Sequence, residues 1–359
     1  MYDAMVLGGG PAGAAAALTL ARAGRDVLLV DGGGGAGRVG EALPPAARPL
    51  LRELGVLERV RRVGHLRCPG NVALWGAPVP VVHDFLLDPH GCGWHLDRAR
   101  FDRDLQAAAE QAGARLARAT RAVAVDKAGR GWRVRLRHAG EERLARSRWL
   151  IDASGRGSVF ARRLGAVRRC DDRLLAFVAC WRPAAPDRDA RTWIEAAPDG
   201  WWYSARSPSG ARLTAYHTDA DLAARDALRS ARGLLAHLAQ SPHLHALLAS
   251  CRGEIDGRPR GVDASSGRLD RATGDGWLAV GDAAASFDPL SSQGLLNALY
   301  TGLKGAEALH RALAGEGSGL LAYEDRLRRV YRTYLARRTS FYAAEGRWPG
   351  RTFWRRRAP

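Results

Sequence analysis

Residues 4–13 read AMVLGGGPAG, and few short stretches restrict a fold as tightly. AMVL is an apolar run of strand length, and Gly8-x-Gly10-x-x-Gly13 follows it. The Ala-rich AAAALTLARAG then reads as a helix, and DVLLV as a second strand ending at Asp31. Strand, glycine turn, helix and strand in this order form a βαβ unit of the length that binds a dinucleotide. Gly8 permits the tight turn, Gly10 lets the backbone approach a pyrophosphate, and Gly13 lets helix and strand pack closely. The positive end of the helix faces the phosphates. Asp31 is placed to accept hydrogen bonds from an adenosine ribose. The unit by itself leaves NAD and FAD both open.

A second glycine-and-aspartate turn decides between them. VGDAAASFDPLSSQGLLNALYTG occupies residues 280–302, again between a strand and a helix. FAD is long, and a protein gripping only its adenosine end would leave the reactive ring swinging. WLAV delivers Gly281, whose missing side chain permits close backbone approach, and Asp282 can hydrogen-bond a ribityl hydroxyl. Asp288-Pro289 turns the chain, and Gly294 opens a helix whose N–H groups point at a site of negative charge. Reduced flavin carries such charge near its pyrimidine ring. An NAD enzyme has no use for this segment, so the expected cofactor is FAD.

Composition bounds the rest. A chain of 359 residues holds about two domains at roughly 100–200 residues each. No stretch approaches the roughly 20 apolar residues that span a bilayer, so no membrane span is expected. The N-terminus runs straight into the first motif without a basic leader, which reads as cytoplasmic and unprocessed. The net charge is +18, but all the basic residues except Lys127 and Lys304 are arginines scattered along the chain. No recognised nucleic-acid motif accompanies them, so no nucleic-acid partner is expected. The denser tail RWPGRTFWRRRAP reads as a solvated C-terminus. Five scattered cysteines without a CxxC pair give no zinc site and read as reduced, buried thiols.

The expected architecture is α/β: a Rossmann-type FAD-binding domain with an inserted mixed-sheet substrate domain and C-terminal helices. Residues 1–70, 96–165 and 265–318 are assigned to the FAD-binding domain, and 71–95 and 166–264 to the substrate domain. Residues 319–359 form the C-terminal segment, an amphipathic helix bearing Leu327, Val330, Tyr334 and Phe341. LPPAARPLLRELGVLERVRRV reads as a helical stretch, and DRARFDRDLQAAAEQAGA as a helix capped by Asp97.

Over its whole length the chain resembles the para-hydroxybenzoate-hydroxylase-like group of FAD-dependent monooxygenases. GGGPAG, with Gly8, Gly10, Pro11, Ala12 and Gly13, resembles that group's first motif. DASG, with Asp152 and Gly155, sits where its DG motif occurs, interrupted by Ala153-Ser154 as in the halogenase-like branch. GDAAASFDPLSSQG and the residue after it, with Gly281, Asp282, Pro289, Gly294 and Leu295, resemble the third motif. DRARFDRDL resembles the segment whose arginine, here Arg98, contacts the cofactor. RVGEALPP resembles the matching segment of the flavin-dependent tryptophan halogenases, which implies that Gly40 and Glu41 lie beside the flavin. GNVALWG, GWHLDRARFD, GWWYSA, DPLSSQG and RWPGRTFW are most similar to the maturation flavoproteins of tryptophylquinone enzymes, including the glycine- and lysine-oxidase maturases.

That resemblance implies a monooxygenase hydroxylating an indole, a tryptophan residue of a peptide or protein, or a small indole. A halogenase needs a lysine amine between flavin and substrate, and none follows Glu41 through GNVALWGAPVP. The WxWxIP motif is missing as well. A geranylgeranyl-reductase-type enzyme and a flavin-binding chaperone without turnover are the rival readings. Hydroxylation needs an apolar, water-poor cavity. Trp75, Trp94, Trp201, Trp202 and Tyr203 are expected to line it and stack on the indole. His217, His95 and Asp288 are the candidates for proton transfer. No separate nicotinamide domain fits the chain, so NAD(P)H docks transiently or a partner flavin reductase supplies electrons.

Overall fold

The computed structural model describes residues 1–33, 42–62 and 64–358. Gly40 and Glu41 lie outside the described residues.

Five strands, Arg115–Ala117, Val27–Val30, Tyr2–Leu7, Glu141–Asp152 and Trp277–Ala279, lie side by side in that order. Every neighbouring pair is parallel. VLLV and the AMVL end of the first strand are buried residue after residue, as strands covered on both faces must be. The register sets Leu7 against both Val30 and Asp152, and Asp152 against Ala279. The glycine turn at 8, the DASG turn at 152 and the turn at 281 therefore leave the same edge of one sheet. Antiparallel strands extend this eight-stranded sheet: Thr273–Gly274 at its edge, and the hairpin Thr120–Ala128/Gly131–His138 on the long strand Glu141–Asp152.

Helix Pro11–Arg22 packs between Arg98–Gln111 and Gly294–Leu313. Two glycines let these backbones meet. A Cβ on Gly13 would stand 1.9 Å from the Gly8 carbonyl oxygen, and one on Gly302 would stand 2.3 Å from that of Ala12. The expected single helical stretch after residue 43 is two helices, Ala47–Glu53 and Leu57–Arg62. The break falls at Gly55, whose φ of +60° ends the first helix.

A second, seven-stranded sheet has the order Glu254–Asp263, Leu174–Arg182, Arg212–Asp219, Gly200–Arg206, Thr192–Ala197, Gly70–Leu74, Val81–Asp84. Alternation divides its side chains between two faces. Phe177, Trp181, Trp202 and Tyr216 meet Leu234, Leu238, Leu244 and Leu248 of the helices beyond. Leu174, Ala176, Trp201 and Ala215 point the other way, with Tyr342, Phe353 and Trp354. Strand Gly93–His95, expected with the substrate segment, pairs instead with Ala42–Leu43 and Leu66–Cys68, so Trp94 belongs to the core under the first sheet.

The last long helix, Ser318–Ala343, buries Tyr323, Tyr331, Tyr334 and Tyr342. Phe341, expected on its apolar face, is 59% exposed. The tail is not solvated as its charge suggested. Phe353 and Trp354 are buried, the Trp354 indole N–H donates to the Ala197 carbonyl at 3.0 Å, and the Arg357 guanidinium lies 3.8 Å from the centre of the Phe353 ring. Arginine stems and aromatic faces satisfy each other here, and charge density alone concealed it. Nor are all the thiols buried: Cys68 and Cys251 are, Cys170 is exposed.

Gly302→Val drives a branched side chain against the Ala12 carbonyl. It should destabilise the protein by about 1–3 kcal/mol, read as a lowered urea midpoint with unchanged slope; an unchanged midpoint would contradict the close helix contact.

Candidate active site

A cavity of about 710 Å³ opens where the three turns converge. Gly8, Gly10, Pro11, Ala12 and Asp31 form one part of its lining, Ala153, Ser154 and Gly155 another, and Asp282, Asp288, Pro289, Gly294 and Leu295 a third. Both helix N-termini, at Pro11 and Gly294, open onto it. Their free N–H groups and dipoles favour negative charge.

Three glycines of the lining differ from those of the helix contacts. Among the described residues, no atom beyond the adjoining chain lies within 4 Å of where a Cβ would stand on Gly10, Gly155 or Gly294. Each therefore keeps open a place for a ligand rather than for a neighbouring element. A cradle open at two helix N-termini, with an acceptor carboxylate at Asp31, fits FAD. When bound, FAD supplies the redox chemistry, and the protein supplies orientation and electrostatics.

Several partners were not singled out from the sequence. Gln106, on helix Arg98–Gln111, donates from Nε2 both to the Gly9 carbonyl at 2.7 Å and to Asp31 Oδ2 at 2.9 Å. It fixes the Asp31 carboxylate against the first glycine turn. Thr301 Oγ1 accepts from the Gly281 N–H at 2.8 Å and so locks the second turn onto the helix that follows. Arg156, directly after the DASG motif, approaches Asp282 Oδ2 at 3.5 Å and donates to the Phe287 carbonyl at 3.1 Å. Its adjacency to the motif was a usable signal; Gln106 and Thr301 carry none outside the fold. Burial pushes the Asp282 carboxyl up, and Arg156 pulls it back. Arg98 lines the cavity and pairs with Asp102 at 3.4 Å. Arg121 stands at the Asp31 end.

Other expected contacts fall elsewhere. Gly13 serves helix packing, and Gly281 shapes the turn while its neighbours Val280 and Asp282 face the cavity. Asp152 is buried, and its carboxylate accepts from the backbone N–H groups of Ser154, Phe160 and Ala161. It braces the DASG turn and the helix after it rather than the cofactor. Asp288 reaches the lining, but its oxygens accept from the Leu290 N–H at 2.9 Å and the Tyr342 hydroxyl at 2.8 Å. It is a turn-forming carboxylate, raised by burial. Tyr342 also accepts from the Trp201 indole N–H at 3.1 Å, so the C-terminal helix is tied to both sheet and turn.

The remaining wall comes from the seven-stranded sheet and the residue after its first strand: Ala176, Tyr203, Ala215, His217, Val262, Asp263 and Ala264. Of the expected aromatic lining only Tyr203 is present. Trp202 points to the opposite face because it alternates with Tyr203. Trp201 lies behind His217, the rings stacked at 3.7 Å and 5°. Trp75 packs edge-on against Trp354 at 5.3 Å, and Trp94 lies under the Arg48 guanidinium in the other core. His95 is also displaced. It is buried away from the cavity and its Nε2 pairs with Thr192 Oγ1 at 2.9 Å. Small side chains thus leave the space, and His217, Tyr203 and Asp263 supply the polar groups along that wall.

With this geometry in view, the comparisons are consistent. The family model described as "FAD binding domain" matches residues 1–338. This chain belongs to that family. It is 31% identical over 365 residues to LodB of Marinomonas mediterranea, a protein carrying the name of an FAD-dependent oxidoreductase, with 99% of this chain and 96% of LodB covered. Among solved structures, the flavin-dependent halogenase CmlS superposes with a TM-score of 0.89 at 25% identity, covering 100% of this chain and 68% of CmlS. QhpG, a peptidyl tryptophan dihydroxylase essential for tryptophylquinone cofactor biogenesis, gives 0.80 at 25% identity, covering 99% and 78%. The chain is an FAD-dependent oxidoreductase of the monooxygenase type. Among the described residues no helix is long and apolar enough to cross a membrane.

Gly10→Val should leave the unfolding midpoint of the flavin-free protein unchanged, since no neighbouring element among the described residues lies within 4 Å of the Cβ position, yet weaken FAD binding by about tenfold or more, read by flavin titration. Retained affinity would contradict the placement of the pyrophosphate.

Burial lowers the pKa of His95 from 6.5 to about 4 and that of His217 to about 3. Both stay neutral when folded and take up a proton on unfolding once the pH is below 6.5. Their contribution is full above that pH and is lost as the pH falls towards those values. Urea stability should therefore drop between about pH 7 and about pH 5 by up to about 1.4 kcal/mol per pH unit per histidine. His95→Gln should flatten the slope; an identical slope would contradict the burial of a neutral imidazole.

Proposed function

We propose that this protein is an FAD-dependent monooxygenase that hydroxylates an indole, the side chain of a tryptophan within a peptide or protein. The observation that carries the reading is the continuity of the cavity. One wall is the cofactor cradle, and another is a sheet face of mostly small apolar residues that also carries His217 and Tyr203, the setting in which an aromatic ring can lie beside a flavin with little water. One atom of dioxygen enters a C–H bond of the indole and the other leaves as water. The two electrons come from NAD(P)H docking transiently or from a partner flavin reductase. The naming of QhpG as a peptidyl tryptophan dihydroxylase supports the substrate class.

Halogenation is the reading that CmlS would favour. The positions of the two lysines weigh against it. Lys127 pairs with Asp275 over the Trp132 ring, Lys304 pairs with Glu53 and Glu307, and neither lines the cavity. Arginine is no substitute, because it stays charged and offers no free amine.

The test is incubation of the FAD-loaded protein with NAD(P)H, a flavin reductase, dioxygen and a panel of tryptophan-bearing peptides, followed by mass spectrometry. A gain of one or two oxygen atoms on the tryptophan is expected. A halogen gained in the presence of halide, or tight binding of a peptide with no change of mass, would contradict it; the second outcome would favour a chaperone.

A further inference from the structure

Resting on that reading, we infer that His217 selects the substrate by accepting a hydrogen bond from a ring N–H. His217 is 3% exposed and lines the cavity from the middle of strand Arg212–Asp219. Beside it in the wall stand Ala176, Ala215, Val262 and Ala264, none of which can hydrogen-bond through a side chain, and Tyr203 and Asp263 also line the cavity. Nδ1 is enclosed and has no hydrogen-bond partner among the described residues, while backbone groups of Trp201 and Ala215 lie against the ring. Burial, with Arg156 nearby, keeps the imidazole neutral, so one nitrogen carries a proton and the other a lone pair. With the proton on Nδ1, the lone pair is on Nε2, the nitrogen farther from the backbone.

The ring is also held. It stacks face to face on Trp201, whose indole N–H is fixed by the Tyr342 hydroxyl, itself bonded to Asp288 beside the third flavin motif. The acceptor is therefore set relative to the cofactor cradle by contacts from the sheet and the C-terminal helix. An acceptor held among small apolar side chains favours a planar apolar body that bears a donor. An indole has that form. A bicycle of the same shape without the N–H would leave Nε2 buried and unpaired, which a site of this kind rejects strongly.

The experiment titrates the FAD-loaded protein with indole and with benzothiophene, which has sulfur in place of the N–H, and follows the flavin absorbance. Wild type should bind indole about tenfold or more tighter than benzothiophene. His217→Phe keeps a flat ring for stacking and should bind the two equally; His217→Gln retains an acceptor and should keep part of the preference. Flavin content and unfolding midpoint of each variant establish that the cavity is intact. Should His217→Phe lose its flavin, the wild-type and His217→Gln titrations decide. Equal affinities in wild type, or a preference unchanged in His217→Phe, would overturn the role of His217 while leaving the indole reading standing. A flavin spectrum undisturbed by either compound would overturn the indole reading itself, and this inference with it.

Discussion

The parallel register of Tyr2–Leu7, Glu141–Asp152 and Trp277–Ala279 is the constraint on which the site depends. It brings three turns, separated by well over a hundred residues each, to one edge of a sheet. Ligands in open α/β folds bind beyond the carboxyl ends of the strands, because there the loops converge and the helix N-termini point outwards. A one-residue slip between these strands would move Gly8, Gly155 and Gly281 apart and reverse which side chains enter the core. The second glycine turn, opening onto the same cavity as the first, suits a cofactor longer than one turn can hold. Its place is fixed by the strand before it and by Thr301 on the helix after it.

The seven-stranded sheet closes the remaining side, and its alternation does the sorting. One face carries the large aromatic residues against the outer helices, and the other presents alanines, valine, Tyr203 and His217 to the cavity. The C-terminal helix and tail lock this arrangement. Tyr342 joins Trp201 to Asp288, and Phe353 and Trp354 pack beneath the same face. The last part of the chain is thus a brace between the substrate wall and the third flavin motif. An aromatic tail docked in this way also explains how so basic a chain end can be buried: Arg357 pairs with Asp219 and lies over both Tyr342 and Phe353.

Much of the cofactor cradle was legible because backbone chemistry wrote it into short strings. GGGPAG demands a turn before a helix, and GDAAASFDPLSSQG demands another, whatever surrounds them. The substrate wall was far less legible. In GWWYSA the strand period separates Trp202 from Trp201 and Tyr203, but nothing local says which face meets the cofactor. His95 and His217 both sit on short strands between apolar residues, and only the partner strands put one in the wall and the other in a sealed pocket with Thr192. Asp152 looked like a ligand because its motif is one; in the fold its oxygens serve three backbone N–H groups. Gln106 and Thr301 act through contacts that only the folded chain creates.

The account holds that the two ends of one FAD are gripped by separate turns of one sheet. Calorimetric titration of the flavin-free protein with ADP, FMN and FAD tests this most directly. The account predicts that ADP and FMN each bind weakly and without competing, while FAD binds one to one and far more tightly than either, because linking the two fragments makes the second contact intramolecular. FMN binding as tightly as FAD, or ADP and FMN displacing each other, would contradict it.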